Sequence, residues 1–353
     1  MKLTILQSSL PHYRISFFEQ LSKKYDLTVC LFEECYIKRD VNFDIVNFGR
    51  SSIRSNFKCL NYIKNNNTII IIGDHLRKIF LPFFRIIPFL FNRPIIWWGV
   101  SADPTRRLFC FFKRYLFKAN DFLIFYDYGT LNVFLNMFPY FENKVIVANN
   151  TVAASSKSPI SFTTSSFGVI NVGSLVSRKN NAVLINVVFR MLNAGYDVKL
   201  TLAGDGPDRI FLQQQVSSLG ITDNVHFCGE IVDNDHLFDL YANSSISVSY
   251  GQCGLALLQS FSYGRAFLTC SNAVTGGESS NLISGFNGYL IRDESELYDY
   301  LVFLYQNPKY LEVLNSNAFL TYNSLASFDK HVESFVKAIN NFYILNSDFY
   351  EFN

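Results

Sequence analysis

Two adjacent cations, Arg178 and Lys179, follow Val172-Gly173-Ser174-Leu175-Val176-Ser177 and precede Asn180-Asn181. The stretch reads as a strand passing into a helix. Gly173 allows close approach to the backbone, Asn180 or Asn181 can cap the helix, and both cations stand at its start. A helix N-terminus flanked by cations binds anions, and a diphosphate is the natural guest. Taken alone, a solvated basic turn explains the same residues. Three more loops follow in order: Leu202-Ala203-Gly204-Asp205-Gly206-Pro207, Asn224-Val225-His226-Phe227-Cys228-Gly229, and Ser249-Tyr250-Gly251-Gln252-Cys253-Gly254-Leu255. The last opens a helix predicted over 254–263, whose leading N–H groups can hold further phosphate oxygens. Gln259 interrupts an apolar run there, so its face meets a polar ligand or solvent.

Short apolar runs must position these loops. In the upstream half they fall at 3–6, 27–32, 68–72, 95–98, 122–126 and 144–148. Downstream they recur at 169–172, 198–203, 225–228, 246–249, 266–270 and 289–291. Helical stretches lie between them, at about 181–193, 208–218, 235–243 and 254–263, several closed by a glycine (Gly195, Gly220, Gly264). Continuous apolar strands alternating with helices predict parallel sheets. Residues 153–166, rich in Ser, Thr and Pro, read as a linker. The expected division is a domain over 1–155, a second over 165–327, and an amphipathic tail over 328–353 that can cross back to the first. Ligands of such sheets sit beyond the carboxyl ends of the strands. Two such edges facing across a cleft would form the working site.

Composition agrees with a two-domain globular chain. The 353 residues are 49% hydrophobic and 17% charged, which excludes disorder, and a net charge of +2 argues against nucleic-acid binding. Seven scattered cysteines without a C-x-x-C pair exclude a zinc-finger or disulfide framework and suit reduced thiols. The opening apolar run is too short for a secretory signal, and no stretch is apolar enough to span a bilayer.

The pieces VGSLVSRKNN, LAGDGP, NVHFCG, YGQCGLALLQSFSYGRAFLTC and GFNGYLI cover about 170–291 in order. In them the chain resembles the retaining family 4, or group 1, glycosyltransferases. Agreement is looser at ILQSSLPHYRISFFEQL and at Ala148-Asn149-Asn150-Thr151. The resemblance implies a GT-B fold: two Rossmann-like doubly wound domains, the second holding a nucleotide-diphospho-sugar and the first an acceptor. Gly173, Ser174, Arg178, Lys179, Gly206, Gly229, Gly251, Gln252, Cys253, Gly254, Leu255 and Gln259 would then line the donor. The family's usual arginine is Ser174 here, and Arg178 can replace it. Its E-x7-E glutamates fall on Gly251 and Gln259. A subset from bacterial surface-polysaccharide clusters lacks them and carries a Gly/Pro-Glu element downstream, which Gly276-Gly277-Glu278 fits. Glu278 is then the remaining carboxylate near the donor, a loop glutamate in water being the alternative.

On this reading the catalytic candidates are Lys179, Arg178 and Glu278 with His12, Asp74 and His75 on the acceptor side. Asp127 reads as a helix cap. Arg14 either holds an acceptor phosphate or lies on a helix surface. No metal or other cofactor is expected, and a UDP-sugar is the expected donor. Residues 77–118 carry nine cations against one acid, Asp103, interleaved with phenylalanines. Such a segment suits an anionic membrane surface, and with it a polyprenyl-diphosphate-linked saccharide acceptor at the inner face of the bacterial cytoplasmic membrane. The expected product is O-antigen, capsule or exopolysaccharide. An inactive GT-B scaffold is the alternative; a GT-B sugar epimerase is weaker, since its acids are not located.

Overall fold

A computed structural model describes residues 1–33, 40–50, 52–66, 68–73, 94–100, 117, 120–152, 167–231, 233–273 and 277–348, without the side chains of His12 and Tyr13. The chain forms two compact units, one of Met1–Asn149 with Phe328–Asn353 and one of Asn150–Ser327.

In the first unit seven parallel strands pair in the order β3-β2-β1-β4-β5-β6-β7. They are β1 (Lys2–Gln7), β2 (Asp26–Leu31), β3 (Asp44–Asn47), β4 (Ile69–Gly73), β5 (Ile96–Trp98), β6 (Phe122–Phe125) and β7 (Val145–Val147). Strand side chains alternate between faces, and both faces here are covered, which is why the strands read as unbroken apolar runs. Leu3, Ile5, Ile71 and Trp98 pack with α1 (His12–Ser22) and the C-terminal helix (Phe328–Leu345). Leu6, Ile72, Trp97 and Phe125 pack on the other face with α2 (Ile53–Asn65) and α3 (Tyr128–Met137). Strand β3 and helix α2 have no counterpart in the sequence reading. The former, DIVN, holds only two apolar residues at a sheet edge; the latter mixes apolar and polar residues about evenly, with its buried Asn56, Cys59, Leu60 and Ile63 recurring at helical spacing.

Much of the aromatic content fills these cores. Phe17 lies edge-on to Phe335 and to His331, with ring centroids 4.7 Å apart in both pairs, and Phe117 is buried against Trp97. His331 is enclosed, and its Nδ1 donates to the Asn149 carbonyl at 2.7 Å. Burial, helped by the nearby Arg14 guanidinium, pulls its pKa down from 6.5 to about 4. The sign follows: between those values the unfolded chain binds a proton that the folded chain refuses. Stability is therefore full above pH 6.5 and falls as pH drops toward 4, by up to about 3 kcal/mol. Denaturant titrations at pH 7 and 4.5 should show a smaller acid loss for His331→Gln; equal losses would exclude His331 as the source.

In the second unit six parallel strands pair in the order β10-β9-β8-β11-β12-β13. They are β8 (Phe167–Val172), β9 (Val198–Ala203), β10 (Val225–Gly229), β11 (Ile246–Ser249), β12 (Phe267–Cys270) and β13 (Gly288–Ile291). The helices are α4 (Asn181–Asn193), α5 (Arg209–Ser218), α6 (Asn234–Ala242), α7 (Ala256–Ser262), α8 (Glu294–Gln306) and α9 (Pro308–Thr321). Gly195 ends α4 at φ 87°, where a side chain would be strained, and the Tyr196 N–H returns to the Met191 carbonyl. The chain runs from β8 outward to β9 and β10, then crosses back to β11 on the opposite side. The carboxyl ends of β8 and β11 therefore flank the point where strand order reverses, the usual ligand crevice of such sheets.

Candidate functional site

Both loops singled out by sequence leave the sheet at that reversal. After β8 the backbone passes Gly173 and makes a tight 3-10 turn over Ser177–Lys179 before α4 begins. After β11 it passes Gly251 and Cys253. The loops are clipped together: the Gly251 N–H donates to the Lys179 carbonyl and the Gln252 N–H to the Arg178 carbonyl, each at 3.0 Å. Gly251 sits so close that a Cβ there would lie 2.1 Å from the Arg178 oxygen. Thr269 adds a hydroxyl to the Gly251 carbonyl at 3.3 Å.

The clip separates the two cations. Lys179 turns inward and is 8% exposed, beside Gly173, where an added Cβ would stand 3.4 Å from its Nζ. Among the described residues its one hydrogen bond is a long donation of 3.5 Å to the Cys253 carbonyl, so the ammonium keeps donor capacity. Burial lowers its pKa; Cys253 and Glu278 act against that shift and Arg178 adds to it. Arg178 turns outward, exposed, and its Nε donates to Gln252 Oε1. The Cys253 thiol, wholly buried, is pushed up to about 11 by desolvation and by Glu278, so it stays protonated.

Glu278 is the second inward charge, 9% exposed on a 3-10 turn, Glu278–Asn281. Its Oε1 accepts from Asn150 Nδ2 at 3.1 Å. Its Oε2 is buried without a partner among the described residues. A buried carboxylate oxygen left unpaired costs free energy unless a ligand donates to it. Glu278 is thus an enclosed acidic group that Lys179 feels, and the solvated-loop alternative does not hold.

The remaining expected residues fall as follows. Ser174 is exposed. Gly206 packs on Leu175, whose oxygen would stand 2.3 Å from an added Cβ, and Gly229 bridges to Gly204 on the outer strands. Gln259 is half-buried on α7. The helix expected to open at Gly254 begins instead at Ala256, because Gly254 adopts φ 48°, a left-handed turn. Its N–H and that of Cys253 approach the Cys253 sulfur. Asn180 holds the cap position of α4 at φ 52° but makes no side-chain cap bond. The buried Asn171, which hydrogen-bonds the Val248 carbonyl between the two strands, carries no sequence signal of its role.

In the first unit, His12 begins α1, and Asp74, His75 and nearly all of 77–118 lie outside the described residues. Asp127 caps α3, accepting from the Thr130 N–H and hydroxyl at 2.7 Å. Arg14 is buried, not on a helix surface: it donates to Gln7 and Tyr126, and its guanidinium lies 4.5 Å from the centre of a Trp98 ring. The aligned aromatic and amide partners remove it from solvent as a cation–π pair.

Residues 166–307 match the family described as "Glycosyl transferases group 1". Among curated proteins none matches this sequence. Among solved structures, HepE from Anabaena in complex with UDP superposes with TM-score 0.73 at 17% identity, over 96% of this chain and 100% of that one. HepE has also been solved with UDP-glucose. WaaB, a lipopolysaccharide outer core galactosyltransferase, gives 0.69 at 16% identity over 96% and 99% of the chains. WaaG, a glycosyltransferase involved in lipopolysaccharide biosynthesis, gives 0.64 at 13% identity over 94% and 98%. At such identities the shared property is the fold. With two sheets of Rossmann type and these structural likenesses, the chain has the GT-B fold, and its residues 166–307 match the group 1 glycosyltransferase family.

Proposed function

We propose that the protein transfers a hexose from a nucleotide-diphosphate donor, a UDP-sugar, to a saccharide acceptor, with retention and without a divalent cation. One observation carries this: a buried ammonium, Lys179, with a single long hydrogen bond at the reversal point of the downstream sheet. Breaking the sugar–phosphate bond builds negative charge on the leaving diphosphate and an oxocarbenium-like centre on the sugar. Lys179 neutralises the first; Glu278 Oε2 accepts from a sugar hydroxyl. Arg178 reaches the outer phosphate, and Gln259 hydrogen-bonds the ribose. Of the solved likenesses, HepE holds UDP and UDP-glucose, which supports the donor class.

The acceptor is a polyprenyl-diphosphate-linked saccharide of a bacterial surface polysaccharide, brought to the protein at an anionic membrane surface through 77–118. The basic, phenylalanine-rich composition of that stretch supports this. Among the described residues no helix is long and apolar enough to cross a membrane. His12, Asp74 and His75 serve the acceptor hydroxyl, although a departing phosphate oxygen can take its proton.

Nucleotide release from UDP-, GDP- and dTDP-sugars with a polyprenyl-linked acceptor tests the reading. UDP-sugars should turn over, with activity unchanged by EDTA. Nucleotide binding without turnover on any donor would replace the enzyme by a scaffold. Flotation with anionic liposomes should be lost when Arg106, Arg107, Lys113 and Arg114 are neutralised together, and unchanged flotation rejects the membrane contact.

A further inference from the structure

The segment Asn150-Thr151-Val152 is brought to Glu278 by contacts far along the chain. Asn150 Oδ1 accepts the Thr151 N–H at 3.2 Å, which leaves the Nδ2 end of the amide for Glu278 Oε1, 128 positions away. The segment is itself held: Thr151 Oγ1 donates to the Ala326 carbonyl, and the Tyr322 hydroxyl donates to the Val152 carbonyl at 2.8 Å. From the other side, Asn281 Nδ2 donates to the Glu278 carbonyl at 3.1 Å, fixing the turn on which Glu278 stands.

One carboxylate oxygen is thereby occupied and the other, Oε2, is buried and unpartnered. A carboxylate free to rotate about its last bond would present either oxygen, or neither, to a ligand. Held by a single amide, it presents one. We infer that Asn150 is a positioning residue: it holds Glu278 so that Oε2 faces the donor's sugar, and it thereby serves recognition of the sugar and not of the nucleotide. This rests on the reading of Glu278 as a donor contact given above.

The test compares affinities for UDP and for the UDP-hexose that wild type binds best, by calorimetry, in wild type, Asn150→Ala, Glu278→Gln and the double variant. Each single change should weaken UDP-hexose binding about tenfold and leave UDP binding within about twofold, because UDP lacks the sugar. The double variant should be no weaker than Glu278→Gln by more than about twofold, since a residue acting through another adds nothing once that one is altered. Asn150→Leu, close in size but unable to donate, should behave like Asn150→Ala. Melting temperatures of all variants exclude loss of folding as the cause. If Asn150→Ala weakens UDP and UDP-hexose equally, is silent, or retains its full effect beside Glu278→Gln, the inference falls while the donor site stands. If wild type binds neither ligand, or Glu278→Gln is silent, the donor reading falls and takes the inference with it.

Discussion

Replacing Lys179 with alanine should weaken donor binding about 10- to 150-fold, because a hydrogen bond to a charged group contributes roughly 1.5–3 kcal/mol. Transfer should fall by at least as much, since charge on the leaving diphosphate grows as the sugar bond breaks. The side chain is buried with one long hydrogen bond among the described residues, so the same change should cost the empty protein the packing of its methylenes and the through-space attraction of Glu278. Lys179→Met, which keeps the volume and removes a poorly solvated charge, should raise the melting temperature while abolishing transfer. The two effects separate function from folding: a structural lysine would lose both together. Sign matters for pH as well. Burial lowers the lysine's pKa from 10.5, so as pH rises the ammonium is lost earlier than from an exposed lysine. Donor affinity should decline through that depressed value, and in the Lys179→Met variant this alkaline decline should be absent. Donor affinity within twofold of wild type in Lys179→Ala would remove the diphosphate assignment.

The second large effect belongs to Gly251. A Cβ there would lie 2.1 Å from the Arg178 oxygen and 2.8 Å from the Lys179 carbonyl carbon, and both obstacles are backbone. They cannot move without parting the two loops and losing the hydrogen bonds from the Gly251 and Gln252 N–H groups. Gly251→Ala should cost about 2–4 kcal/mol, from overpacking and two lost bonds. That corresponds to a fall of roughly 5–15 °C in melting temperature for a domain of this size, with donor binding lost as Lys179 is displaced. Gly254→Ala is the control in the same loop. Nothing lies within 4 Å of its added Cβ, and only its φ of 48° is unfavourable, so about 1 kcal/mol is expected. The same geometry bears on the departure at this position: restoring a glutamate by Gly251→Glu should not gain activity, because the loop is built shut against any side chain. A Gly251→Ala variant as stable and as tight-binding as wild type would show that the clip opens freely.

Most strands and the helices around the donor loops were legible because their signals are local. An unbroken apolar run between turn glycines has few folded alternatives, and the runs at 198–203 and 246–249 coincide with β9 and β11. Strand β3, a short edge strand, has a weak local signal, whereas α2 carried a readable one, a Ser52 cap and buried Cys59, Leu60 and Ile63 on one face. At Gly254 a glycine that reads as a helix start is a left-handed turn, because φ preference alone admits both.

By itself the sequence determined the kind of sheet, the order of the glycine loops along it and the presence of two cations at one of them, since all three are properties of neighbouring residues. Only the tertiary structure decided which cation is enclosed. Arg178 and Lys179 are adjacent and chemically alike, yet one is exposed and the other buried, and the difference comes from the clip to a loop some seventy positions later. It also decided that Asn150 meets Glu278. Strand order brings such distant groups together, and the free energy of that order is summed over the whole sheet and resides in no single motif.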